Sequence, residues 1–530
     1  MNVILFNAVL RPQYRTPRLL SALAITGHTI AAIGYDLSAL RRHFPRHEVI
    51  DLGGRTVIPG LVDSHTHFYF WARTFNAIHL NGLTDFEEVL RRIKAGSRKF
   101  KKGEWIIGDG WAPDRWSTYH LPSAEELDRV TGESPAALFS KDQHMMWVNS
   151  AALRLAGIDR RTPEPKGGKV DRDPVSNDPT GILCEIPGYF PVIKLISRPP
   201  HEIVERTWKA VSEIAYSRGV TGFHSMDGPE AFDFFQYLHG RSRLGFRVHY
   251  YYPVKLLDEL VERKVVSGTG DDTLRIGGIK IFADGSLGSQ TAFLKRPYNG
   301  RKGYRGIETT PFAQLAKDIR KASTHGLACA VHAIGDQAVA NVIDAFLQAG
   351  NNQTLRHRIE HLQLISQSDI PRLRRTGAIA SMQPSHCPSD RTIVARYWGE
   401  RGRNAFIFKT LMNNRIPLAF GSDCPIERLN PLEGIHAAVS RNGYGERGDR
   451  FYPEESLTVS RAVYGFTAGA AYAAGRESFS GKLAAGCQAD LVILDDDIYS
   501  MPRSDIWKAR VAATIYDGRT VYRSASLALL

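Results

Sequence analysis

The feature that most limits what this chain can fold into is a recurrence. Eight short apolar runs, rich in β-branched residues, fall at 57–67, 220–226, 246–251, 277–284, 328–333, 357–362, 378–382 and 416–423. Helical patterns separate several of them, at 201–217, 312–324 and 336–349. Runs of this length without strict alternation suit strands buried on both faces, and such strands need helical crossovers to lie parallel. Eight repeats of strand and helix predict a parallel (β/α)₈ barrel.

The ends of the chain have another texture. Short strand patterns at 3–6, 22–25, 29–34 and 49–54 leave room for one brief helix near 38–44. After residue 480 the pattern returns, with a run at 491–495 and a hairpin at 511–522 turning on Asp517-Gly518. Neither piece can enclose a core alone. The expectation is one discontinuous β-sandwich from 1–57 and 479–530, with the barrel occupying 58–478. Residues 77–200 are too many for a single crossover. They carry helical patterns at 85–98, 123–130 and 150–156, an aromatic loop at 111–116 and a polar Gly/Pro-rich run at 162–179. An insertion on the C-terminal face of the barrel, acting as lid and specificity element, is expected.

The formal net charge of +13 raises the question of nucleic acid. The basic residues are dispersed, however, and the densest run, at 91–102, reads as the solvated face and end of one helix. No nucleic-acid motif accompanies it, so the charge is assigned to solubility and steering of ligands. The five cysteines form no CxxC and are odd in number, which argues against a disulfide framework and fits a reducing compartment. The first residues read as a strand rather than a signal peptide, and no apolar run reaches the roughly 18 residues that span a bilayer. A cytoplasmic protein acting on a small molecule, without nucleic acid or membrane, is expected, and a homodimer is an assembly open to it.

Chemistry-bearing residues collect at the carboxyl ends of the predicted strands. His65 and His67, two apart, project to one side of the first. Lys280 lies in the fourth, His332 and His361 end the fifth and sixth, and Asp423 ends the eighth. Any one of these alone is ordinary: a satisfied core histidine, a snorkelling lysine, a turn aspartate. A barrel brings all eight ends to one mouth. Four imidazoles and a carboxylate converging there suit one or two divalent metals.

These residues sit in longer motifs: Val57 to His67, Lys141-Asp142-Gln143-His144 through Leu153, Gly181 to Glu185, Lys280 to Gly288, Val331 to Asp336, Arg358 to His361, Gly421 to Pro425 and Gly481 to Leu494. Together they resemble the amidohydrolase superfamily, and within it the YtcJ-like group of the amidohydrolase-3 family, nearly end to end. The resemblance implies that His65 and His67 form the first metal pair. It makes Lys280 a bridging ligand carbamylated by CO₂, and gives His332 and His361 to a second metal. Asp423 would both bind metal and serve as general base. Zinc is the expected ion, one or two per chain, and hydrolysis of an amide or N-formyl or N-acyl amine the expected reaction. Gln143 departs from the family pattern, where glycine is expected.

Other residues keep two readings. His144, Asn149 and Glu185 either line the substrate pocket or cap and brace the insertion. Trp111, with Trp116 and Phe68, either walls the pocket or packs the insertion. Glu360, on the strand face opposite His361, reads as a structural ion-pair partner. The same barrel also admits hydrolysis of another bond, a non-hydrolytic isomerase or a binding protein without turnover. Metal content separates the last of these from the enzymes.

Overall fold

Eight parallel strands surround one axis in the computed structural model, which describes residues 1–11, 20–34, 36–350, 353–446 and 448–527. We number them β1 (Leu61–Thr66), β2 (Val220–Ser225), β3 (Arg247–Pro253), β4 (Leu274–Phe282), β5 (Ala328–Ala333), β6 (Arg358–His361), β7 (Ile379–Met382) and β8 (Leu418–Phe420). Each pairs in parallel with the next. The segment after β8 closes the ring against β1: Asp423 N–H donates to the His65 carbonyl and His67 N–H to the Cys424 carbonyl, both at 2.8 Å. The expected barrel is present, and closure takes place beside the predicted site residues.

The crossover helices follow their apolar stripes. His201–Ser217 buries Val204, Trp208, Val211 and Ala215, and Phe312–Thr324 buries Leu315, Ala316, Ile319 and Ala322. Spacings of three and four put each set on one face, which packs against the sheet. An aromatic cluster seals β1 and β2 from outside, with Phe68 stacked on Phe223 at 4.5 Å and Trp208 edge-on to Phe68. Phe68 therefore belongs to the core and not to the pocket wall considered for it.

The barrel interior departs from the branched apolar layers usual in this architecture. Fully buried Arg358 on β6 makes two hydrogen bonds to Glu360, at 2.6 and 3.0 Å, and others to the Ser64 carbonyl, Ser381 Oγ and His224 Nδ1. The His224 ring lies 5.1 Å from that of His249. A column of polar side chains thus runs along the axis.

The terminal segments form two further sheets. One has four strands, Asn2–Phe6, Ala22–Thr26, Thr29–Gly34 and Glu48–Asp51. The other joins both ends of the chain, with Leu491–Leu494 antiparallel to Thr56–Pro59. Val3, Leu5, Leu23 and Ile25 pack with Leu491, Ile493, Ala513 and Ile515 between them. The hairpin turns at Asp517 and Gly518, whose φ values of 51° and 68° suit a type I′ turn. Parts of the predicted sandwich segments, residues 12–19, 35 and 528–530, lie outside the described residues.

The insertion corrects one expectation. Its helices Phe86–Ser97, Ala124–Thr131 and Ser150–Ala156 stand where expected, but they pack on a six-stranded sheet that the helical reading missed. Ala136–Ser140 and Met145–Val148 are its centre, buried on both faces, so no alternation marks them. The five cysteines are buried and free. Among the described residues no helix is long and apolar enough to cross a membrane.

Candidate metal centre

His65 reaches the mouth from the end of β1. Its Nδ1–H donates to Glu360 Oε2 at 2.6 Å, which leaves Nε2 free to bind. The opposite nitrogen of a metal-binding imidazole is commonly held this way, because the bond fixes both tautomer and ring orientation. His361 follows the same logic, with Nδ1 donating to Gln383 Oε1 at 2.8 Å. His332 is the reverse: Nε2 is committed to the Gly285 carbonyl at 3.1 Å, leaving Nδ1.

Asp423 lies three residues past the end of β8, with φ +61°. Its Oδ1 is buried and makes no hydrogen bond among the described residues, yet it stands 3.5 Å from His65 Nε2 and 3.4 Å from His67 Nε2. Ligand atoms of His65, His361 and Asp423 all lie within 4.8 Å of one another. The His332 ring is 4.5 Å from that of His361. His65, His361 and Asp423 surround a common point instead of bonding to one another, which is the arrangement a cation requires, while His67 and His332 border that group without belonging to it. Their charge states agree. Burial, followed by the charge of Lys280, lowers His65 to about 4, and burial pushes His332 and His361 well below the usual imidazole range. Burial opposes the charge on Asp423, but His65 and His67 outweigh it and hold the carboxyl well below its ordinary value. Neutral imidazoles and an ionised carboxylate are the metal-binding forms. The donor set fits a divalent ion.

Lys280 is buried in the same neighbourhood, with Nζ 4.9 Å from the Phe282 ring centroid and no ion pair within reach among the described residues. Burial lowers its pKa to about 8, against the pull of Glu360 and Asp423. A fraction of the amine is therefore neutral near pH 7.

Three neighbours play parts beyond the sequence expectation. Strand alternation sets Glu360 opposite His361, so only one of them should face the axis. Both do, because His361 and Leu362 take left-handed φ values of 69° and 43° that end β6 and turn the imidazole inward. Glu360 is the ion-pair partner expected, to Arg358, and it also orients His65. His386, after β7, was not singled out. Its ring stacks 6.2 Å from His361, and its buried Nε2 is 3.9 Å from Asp423 Oδ2. Its place at the start of a short helix, four residues past the end of β7, was the available signal. Asp63, also overlooked, accepts from Ser422 N–H, Ser422 Oγ and His65 N–H and pins the loop bearing Asp423 to β1.

The insertion supplies the other wall. Its 140–144 turn is fastened to the loop after β4 by Asp142, which accepts from Ser286 at 2.5 Å and Ser289 at 2.7 Å. Lys141 reaches Glu427 beyond β8 at 2.5 Å. His144 faces the cavity, 5.1 Å from the His332 ring, and donates to Glu185 at 2.8 Å. Burial would lower its pKa, but Glu185 and Asp142 prevail and raise it to about 9. Gln143 holds φ +59°, a conformation in which glycine is at ease. Asn149 takes no part. It caps Ser150–Ala156, accepting from Ala152 and Ala136 N–H and donating to Thr131 and the Ser134 carbonyl. Trp111 borders the cavity, yet its indole is fully buried, with Nε1–H on the Leu138 carbonyl. Trp116 packs on Phe86 inside the insertion.

The model of the amidohydrolase family matches residues 48–522. The chain belongs to the amidohydrolase family. Its relatives include a putative amidohydrolase, YtcJ, of Bacillus subtilis, 32% identical over 91% of this chain and 92% of that one. An N-substituted formamide deformylase of Arthrobacter pascens is 26% identical over 98% and 97% of the two chains. Among solved structures, an uncharacterized metal-dependent hydrolase from Pyrococcus furiosus superposes with a TM-score of 0.74 at 30% identity, covering 94% of this chain and all of that one. These relatives support a metal-dependent hydrolase on a barrel with accompanying sheets.

Proposed function

We propose that this amidohydrolase cleaves a C–N bond in an N-formyl or N-acyl amine, with Asp423 as general base. The observation that carries the reading is Asp423 Oδ1, buried without a hydrogen bond beside the two imidazoles of His65 and His67. The full-length similarity to an N-substituted formamide deformylase supports the substrate class. His65, His67, His332, His361 and Asp423 would hold one or two divalent ions, zinc first among them. Bound there, such an ion polarises a carbonyl and acidifies water towards neutrality. Asp423 accepts the proton of the attacking water and delivers it to the leaving nitrogen, which departs as an amine. His144, kept cationic by Glu185, donates a hydrogen bond to the substrate from the insertion side. The neutral fraction of Lys280 adds to CO₂ and loses a proton, turning an amine into a carboxylate ligand for the same site. The insertion acts as lid and selects the amine substituent. Five buried thiols, all free, support a reducing compartment such as the cytoplasm.

The test is amine release from a panel of N-alkyl formamides and acetamides by metal-loaded protein, with metal content measured in parallel. Asp423→Asn is expected to keep bound metal through the imidazoles while turnover falls about 10²–10⁴-fold, the usual worth of a general base. Undiminished turnover by that variant overturns the assignment of Asp423. Absence of amine release from every amide, with ester or halide substrates cleaved instead, overturns the bond type.

A further inference from the structure

At the end of the barrel away from the metal centre, a cleft lies beneath the starts of β1 to β4 and against the 470–490 segment. Arg247, Arg275, Arg476 and Lys482 line it, with His249 and Gln488. Two carboxylates share the lining, and each is taken. Asp490 accepts from Arg247 at 2.5 and 3.1 Å, and Asp272 accepts from Arg476 at 2.8 Å. Arg275 bonds only the Gly268 carbonyl, and neither it nor Lys482 has a carboxylate within ion-pair distance among the described residues.

A second observation is independent of the charge. Three buried side chains of the lining carry polar atoms that have no partner among the described residues: His249 Nδ1, Arg476 Nε, and both amide atoms of Gln488. These residues are 7%, 6% and 9% exposed, so bulk water does not serve those atoms. Native interiors rarely leave such groups unmet. Arg275 and Lys482 are half-buried cations with no carboxylate partner among the described residues, so an anion in the cleft gains attraction from both beyond what ordered water offers. The Arg476 guanidinium is a rigid fork of donors that matches a planar or tetrahedral oxyanion. Gln488 offers a donor and an acceptor side by side, which suits an anion carrying both a bare and a protonated oxygen.

We propose that this cleft is a second ligand site, built for a small oxyanion such as a phosphate or carboxylate group. The anion accepts from Arg476 Nε, Gln488 Nε2 and His249, and it neutralises Arg275 and Lys482. It would sit against His249, whose ring adjoins His224 and the buried Arg358 of the barrel column.

The experiment is calorimetric titration of inorganic phosphate, and separately of acetate, into metal-loaded protein. Three variants accompany it: Arg275→Gln with Lys482→Gln, Gln488→Leu, and Asp423→Asn. Binding to wild type and to Asp423→Asn is expected, with a loss of about tenfold or more in affinity in the other two. Tighter binding of phosphate assigns a tetrahedral ligand, and tighter binding of acetate a planar one. The double variant breaks no ion pair, so its melting temperature in anion-free buffer should match or exceed that of wild type; if it does not fold, Gln488→Leu carries the test. Equal binding by wild type and Gln488→Leu, loss of binding in Asp423→Asn alone, or no binding at ~10 mM anion overturns the proposal.

Discussion

The two ends of the barrel are lined by side chains of similar kinds and make opposite demands. At the mouth the partnerless buried atoms, among the described residues, include two carboxylate oxygens, Asp423 Oδ1 and Glu185 Oε1, and His386 Nε2, beside imidazoles held neutral by burial. At the other end the partnerless atoms include Arg476 Nε and His249 Nδ1, among cations that outnumber the carboxylates. Lone pairs facing inward call for a cation, and N–H groups facing inward call for an anion. Burial by itself does not choose between them; the sign of the unpaired groups does. Arg358 and Glu360 stand between the two ends, each with its charge met inside the barrel.

The largest effect is expected from cutting that column. Arg358→Met removes the guanidinium and leaves Glu360 buried without its main partner. Removing one member of a buried pair costs about 3–5 kcal/mol. Chemical denaturation should show a loss of that size. A loss under about 1 kcal/mol would mean the column tolerates an unpaired carboxylate and does not insulate the two ends.

Glu360→Gln is gentler on the fold and acts on the mouth. The amide keeps a carbonyl for His65 Nδ1–H but no negative charge. Loss of such a supporting partner usually costs 10–100-fold in metal affinity, which competition with a chromophoric chelator can measure. Phosphate binding at the opposite end should be unchanged. A parallel loss at both ends would show that the column couples them.

Smaller again is His144→Gln, which removes a charged donor at the cavity wall while sparing the metal residues. A rise in KM of about tenfold is expected, equivalent to one charge-assisted hydrogen bond of about 1.4 kcal/mol. An unchanged KM would assign His144 to bracing the 140–144 turn alone.

How much of this was legible in the sequence follows physical lines. β1 to β8 stood out because strands buried on both faces are unbroken apolar runs, and the site residues stood out because barrel topology converts eight separate strand ends into one mouth. The same rule failed within the insertion, where Ala136–Ser140 is equally apolar but no repeat signals a sheet. Pairings across the chain were not legible at all. Glu360 beneath His65, Asp63 beneath Ser422 and Gln383 behind His361 depend on register between strands and on left-handed residues at 361, 362 and 423. Alternation along one strand cannot reveal either. The anion cleft was hidden for the same reason: Arg247, Arg275, Arg476 and Lys482 are scattered in sequence and meet only where the tail passes under the barrel.

The smallest effect is also the one the family pattern foretold. Gln143 stands where glycine was expected, and its φ of +59° is a region that costs an L-residue roughly 1–2 kcal/mol. Two bonds hold it there. Its own N–H donates to the Ser140 carbonyl at 3.0 Å, and Tyr189 donates to its carbonyl at 3.3 Å. Neither uses the Gln side chain, so Gln143→Gly keeps both and relieves the backbone. Glycine also gains freedom in the unfolded chain, worth about 0.4–1 kcal/mol in the opposite direction. The net expectation is a gain of about 0–1.6 kcal/mol in stability, read by denaturant midpoint, with kcat, metal content and phosphate binding unchanged. A loss of metal or of activity would show that the strained turn, and not the side chains it carries, sets the geometry of the mouth.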